Sequence, residues 1–83
     1  MTRERFEEIF ETVESDWEGD NAFKGCVIIA KYTDEIIGAA EHDVIYSEEI
    51  DALIEAGITE EDVAALAKLN WHIGEYGCLE CFV

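Results

Sequence analysis

The stretch VIYSEEIDALIEAGITEEDVAALAK, residues 44–68, sets a strand before two helices, and its punctuation decides the fold class. Val44-Ile45-Tyr46 is a β-branched and aromatic run suited to a short strand, and Ser47 after it is a good helix N-cap. Ile50, Leu53 and Ile54 recur at helical spacing as one buried face, which stops at Gly57. Ile58 then occupies the hydrophobic position that follows a glycine C-cap. Thr59 caps the next helix with Asp62 three residues on, Val63, Leu66 and Ala67 face inward, and Glu60, Glu61 and Asp62 complement the helix dipole.

Towards the N-terminus, Phe6, Ile9, Phe10, Val13 and Trp17 follow the same period, while Glu4, Glu7, Glu8, Glu11, Glu14 and Glu18 occupy other faces. Residues 2–18 therefore read as an amphipathic helix, capped by Thr2 and ended by Gly19. Asp20 opens a second helix over residues 21–32, with Phe23, Cys26, Val27 and Ala30 on one stripe widened by Ile28 and Ile29. A strand competes for Cys26–Ala30, but Lys24 and Lys31 have opposite parity in a strand, which favours the helix.

Residues 33–43 fit neither period. In the tail, Glu75-Tyr76-Gly77 forms a turn and the apolar run from Cys78 to Val83, interrupted only by Glu80, makes a strand able to pair with residues 44–46. The expected architecture is α+β: about four helices packed around a small antiparallel sheet. With 83 residues, no proline and no repeat, the chain reads as a single acidic globular domain over residues 1–83.

The 21 Asp and Glu against 5 Lys and Arg give a formal charge of −16. Such a surface opposes direct binding to DNA, RNA or anionic lipid, which require clustered cations. Salt adaptation is a rival cause of acidity, but salt-adapted chains are expected to favour Asp and lack large aliphatics. Here Glu outnumbers Asp 15 to 6 and Ile occurs ten times. No apolar run approaches the ~18 residues of a membrane span, and the N-terminus is unlike a signal peptide, so a cytoplasmic protein is expected. Three cysteines then read as reduced thiols rather than a disulfide framework.

Cys78-Leu79-Glu80-Cys81 is a C-x-x-C that, with His72, His42 or Cys26, has the residue types of a zinc site. In a strand, however, thiols three residues apart point to opposite faces, so Cys78, Cys81 and His72 read as packing groups and no cofactor or metal is expected. A thioredoxin-type role needs a helix after the motif, and none follows Cys81. Glu41-His42-Asp43 places an imidazole between carboxylates, but adjacent residues rarely converge, and a solvated turn is the simpler reading. The alternation Asp16, Glu18, Asp20 departs from a calcium loop at its sixth position, Asn21, and at its closing position, Val27. With no catalytic motif, the chain is not expected to be an enzyme.

What remains is the pattern of acids. Carboxylates recur about once per turn, ~5.4 Å, along the first helix, a spacing comparable with successive phosphates. A second set, Glu48, Glu49, Asp51, Glu55, Glu60, Glu61 and Asp62, lies around the third and fourth helices. Charge runs are ordinarily solvated faces, yet ordinary surfaces mix signs and this one does not.

Small size, intense acidity and the segments Ile58-Thr59-Glu60-Glu61-Asp62-Val63, Leu69-Asn70-Trp71 and Cys78-Leu79-Glu80-Cys81-Phe82-Val83 give the chain a resemblance to small phage-encoded inhibitor proteins of the anti-CRISPR and anti-restriction DNA-mimic type. The resemblance implies a non-catalytic protein of the host cytoplasm that binds a basic, nucleic-acid-binding protein or complex. Its carboxylate-rich helix faces would be the binding surface: Glu4, Glu7, Glu8, Glu11, Glu14, Glu18, Glu48, Glu49, Asp51, Glu55, Glu60, Glu61 and Asp62. The alternatives are a small adaptor or subunit that contacts a protein through an apolar patch, and a small zinc or redox protein using the C-x-x-C.

Overall fold

The computed structural model describes residues 1–17 and 19–82; Glu18 and Val83, assigned above to the first helix and the last strand, lie outside the described residues. Thr2 caps α1 (Arg3–Thr12), its Oγ accepting the Arg5 N–H at 3.1 Å, and Phe6 and Ile9 are buried. The helix ends well before the expected residue 18, with Val13 in extended conformation. Four acidic residues over 11–18 would have faced the negative end of a longer helix's dipole. Instead the chain after Val13 crosses the end of a later helix, where the Asp16 N–H donates to the Lys68 carbonyl at 2.8 Å. Trp17, expected on the apolar stripe, is 61% exposed.

The second helix, α2 (Asn21–Ile29), buries a different face from the one its large residues mark. Asn21, Gly25 and Ile29 are buried, whereas Phe23 is 69% and Val27 54% exposed. Asp20 precedes it in left-handed conformation and makes no side-chain cap. Three contacts explain the rotation. The Trp71 indole lies against Gly25, where an added Cβ would stand 2.0 Å from Nε1, and Nε1 donates to the Asn21 carbonyl at 3.0 Å. The Asn21 amide in turn donates to the Asp16 and Leu69 carbonyls.

The ambiguous residues 33–43 lead into β1 (Ala39–Glu41), which forms a hairpin with β2 (Val44–Glu49) across His42 and Asp43. Ser47 sits within β2 and donates to the Ile36 carbonyl rather than capping a helix. A register shift between Tyr46 and Glu49 carries the chain into α3 (Ile50–Glu55), and Glu49 takes the cap position without a side-chain bond. Gly57, at φ 90°, ends α3 as expected: its N–H bonds the Ile54 carbonyl and that of Ile58 the Leu53 carbonyl, so Ile58 is buried. Thr59 caps α4 (Glu60–Lys68) through the Asp62 N–H, and Val63, Leu66 and Ala67 are buried.

Two antiparallel strands complete the chain, β3 (Trp71–Ile73) and β4 (Cys78–Phe82). The sheet order is β1-β2-β4-β3, with β4 pairing β2 through Val44↔Phe82, Ile45↔Cys81 and Tyr46↔Glu80. The architecture is thus α+β, four helices with a four-stranded antiparallel sheet, and its two unforeseen strands are β1, within the ambiguous residues 33–43, and β3 beside the anticipated β4. One buried cluster joins Phe6, Ile29, Leu53 and Leu66 of the helices to Trp71, Leu79 and Cys81 of the sheet. Cross-strand neighbours share a face, so Tyr46, Glu80, His72 and Phe82 occupy the opposite side, where Phe82 is 51% exposed.

Gly25→Ala drives a methyl into the indole, and overpacking of this kind costs about 1–3 kcal/mol, or roughly 5–20 °C in Tm for a domain of this size. Phe23→Ser, at a position the apolar stripe would have made core, changes stability by less than about 0.5 kcal/mol. Thermal unfolding followed by circular dichroism checks both; an unmoved midpoint for Gly25→Ala refutes the indole contact.

Candidate functional site: a carboxylate surface gathered by two arginines

α1 packs beside α3 and α4, and two of its own side chains draw their acids together. Arg3 reaches Asp51 of α3 at 3.3 Å and Glu7 at 3.7 Å. Arg5 pairs with Glu8 one turn on and with Glu60 of α4 at 2.8 Å. Each arginine therefore holds two carboxylates, which leaves both clusters net negative. The hydrogen bond from Arg5 holds the Glu60 carboxyl below the usual carboxylate range, and the bonds to Glu60 and Glu8 push the Arg5 guanidinium up. Around these clusters Glu4, Glu11, Glu55 and Glu61 are exposed, with Glu4, Glu8 and Glu11 on one stripe of α1.

The remaining expected residues lie elsewhere or serve the fold. Glu14 lies beyond the end of α1, and Glu48 accepts from the Thr33 hydroxyl at 2.9 Å and from the Glu49 N–H at 2.9 Å. Asp62 is an internal strut: its side chain, 17% exposed, pairs with Lys31 at 2.8 Å and accepts from the Tyr32 hydroxyl, tying α4 to the end of α2. Burial works to raise the Asp62 carboxyl, but the bonds from Lys31 and Tyr32 outweigh it and leave it below its ordinary value.

Cys78 and Cys81 take opposite faces of β4, Cys81 buried with Leu79 and Cys78 half-buried on the far side. Burial pushes the thiols of Cys78, Cys81 and Cys26 up, away from the thiolate that metal binding or redox attack requires. Among the described residues, no three His, Cys, Asp or Glu side chains gather as a metal centre. His42 lies in the β1–β2 turn at φ 51° with Glu41 and Asp43 beside it, a solvated corner.

Two surfaces were not marked by the acidic pattern. Phe23 and Val27 stand one turn apart on the outer face of α2, and residues 21–32 contain no acid. A groove of about 440 Å³ runs between α1, residues 13–15 and β3, floored by Phe10, Val13, Trp71 and Ile73 and rimmed by Glu7 and Glu11. Phe10 and Val13 carried the groove's signal in their helical spacing, but only the early end of α1 opens space beside them.

Screening relieves repulsion among carboxylates that exceed cations by 16, so Tm rises as NaCl goes from about 20 to about 200 mM. A flat or falling midpoint argues that the acids are balanced within the fold. Asp62→Asn lowers stability near neutrality. Because the folded carboxyl titrates below the ordinary aspartate value, its contribution is complete above that value and disappears as pH falls through the lower folded one. The stability gap between wild type and Asp62→Asn, from denaturant titrations, is therefore constant from about pH 7 to about pH 5 and closes in stronger acid.

No family model, curated protein or solved structure matches this chain.

Proposed function

We propose that this protein is a non-catalytic inhibitor that occupies the nucleic-acid-binding surface of a basic protein or complex, presenting carboxylates where phosphates would lie. The observation that carries this reading is the gathering of Glu7, Glu8, Asp51 and Glu60 from three helices around only two arginines. An acidic surface kept for solubility alone has no need of such convergence. Here the arginines fix carboxylates in position while leaving each cluster negative, which is what a rigid stand-in for a phosphate backbone requires. The same character underlies the resemblance to phage-encoded DNA-mimic inhibitors.

A second reading, a small adaptor or subunit, draws on the exposed Phe23 and Val27 in a segment free of acids. At the C-terminal end of the chain Phe82 is 51% exposed, whereas Trp71 is 2% exposed and belongs to the core.

Replacing Glu4, Glu7, Glu8 and Glu11 by Gln separates the two. The fold survives, because Gln has a helix propensity similar to Glu and the arginines keep Asp51 and Glu60. A partner captured from lysate at low salt binds this variant about tenfold or more weakly, chiefly through a slower association rate, and nucleic acid competes with wild type for the same site. Undiminished binding, or simultaneous binding of nucleic acid and this protein, refutes the inhibitor reading. Loss of capture on Phe23→Ser with Val27→Ser then supports the adaptor.

A further inference from the structure

The groove beside α1 differs from the rest of the acidic surface in having an apolar floor. Glu7, Phe10 and Glu11 fall at helical spacing, so one face of α1 supplies both apolar and acidic lining. Val13 and Ser15 beyond the helix and Ile73 of β3 complete it, together with buried Ala67 and Trp71. Phe10, Val13 and Ile73 are half-buried: they pack on the core yet keep part of their surface in water. Phe10 is held by Phe6, a buried residue whose ring lies 5.4 Å away, centroid to centroid, and 4° from parallel. The floor therefore exists before any ligand arrives.

The charge of the lining states what that ligand must carry. No Lys or Arg of the described residues lines the groove. Among the described residues Glu11 makes no hydrogen bond or ion pair, and Glu7 is engaged only by Arg3, at 3.7 Å. That distance is too long for a hydrogen bond, and the same guanidinium also reaches Asp51 at 3.3 Å, so Glu7 keeps its accepting capacity. Side chains four residues apart on a helix are neighbours, and an ammonium group has three donors, enough to serve both carboxylates.

Size and polarity narrow the class. A metal ion lacks ligands here, because among the described residues no three His, Cys, Asp or Glu side chains gather. An anion is repelled, and a wholly polar cation leaves the apolar floor in water. The groove holds about 440 Å³, within the range of small-molecule sites. An apolar cavity of about 150 Å³ already accommodates benzene, so a body of one or two rings fits.

We infer that this groove binds a small organic cation, a primary amine whose ring-sized apolar body rests on Phe10, Val13 and Ile73 while its ammonium group lies between Glu7 and Glu11. The site goes beyond phosphate mimicry, because its ligand is a free small molecule selected by apolar contact as well as by charge, although Glu7 and Glu11 belong to both surfaces.

The probe is phenethylammonium, with 2-phenylethanol as the ring without the charge and methylammonium as the charge without the ring. Each is titrated at low salt and followed by amide chemical shifts. Phenethylammonium moves the Phe10, Val13 and Ile73 amides to saturation in the millimolar range, and the other two bind about tenfold or more weakly. Glu7→Gln with Glu11→Gln weakens phenethylammonium about tenfold, and the fold is kept because Arg3 retains Asp51. Glu55→Gln with Glu61→Gln removes the same charge outside the groove and changes affinity by less than about twofold. Absence of saturable shifts at the groove, either control compound binding as tightly as phenethylammonium, or an equal effect of the two double substitutions overturns the proposal. No partner protein or nucleic acid enters this titration, so the inhibitor reading, tested by capture and competition, stands or falls separately.

Discussion

The packing of the Trp71 indole on the backbone of α2 at Gly25 is the constraint on which the rest of the structure depends. The indole fills the space where any other residue would place a Cβ, and its N–H meets the Asn21 carbonyl. Asn21 then uses its amide to satisfy carbonyls at Asp16 and Leu69, one in the segment leaving α1 and one at the end of α4. One buried aromatic and one buried amide therefore hold α2, α4, β3 and the α1–α2 connection in register. A glycine inside a helix costs roughly 0.5–1 kcal/mol relative to alanine, so its presence is intelligible only as the condition for this approach. The same rotation leaves Phe23 and Val27 outside.

Electrostatics acts on the outer layer with the opposite logic. In a chain with five cations, three are placed at joints between elements: Arg3 between α1 and α3, Arg5 between α1 and α4, and Lys31 between the end of α2 and α4. Exposed pairs contribute little individually, about 0–1 kcal/mol. Their positions still decide where negative charge accumulates, because two carboxylates converge on each arginine and the net charge of each cluster remains negative.

Much of the fold was legible in local chemistry. The Gly57-Ile58-Thr59 junction announced a helix end and a new helix start, and both formed as their residues require. Strand β4 was readable because its apolar run stood opposite another, residues 44–46. What escaped the sequence were positions where a small or polar residue outranked a large apolar one. Asn21 and Gly25 took the buried stripe of α2 from Phe23 and Val27, and Ser47 found the Ile36 carbonyl instead of a helix amide. The site was legible as composition only: the acids of α1, α3 and α4 could be named, but not that Asp51 and Glu60 come to α1 while Asp62 turns inward to Lys31.

The early end of α1 ties these departures together. Had the helix continued to residue 18, the Asp16 N–H would have faced its own preceding turn, out of reach of the Lys68 carbonyl, and the Asp16 carbonyl could not have received the Asn21 amide. The non-helical path after Val13 makes both bonds and so anchors α2 in the rotation that admits Trp71. It also leaves Phe10, Val13 and Ile73 around the open groove beside α1. The packing that orders the core is thus also the packing that shapes the groove beside α1, where apolar side chains and the carboxylates of Glu7 and Glu11 line one space.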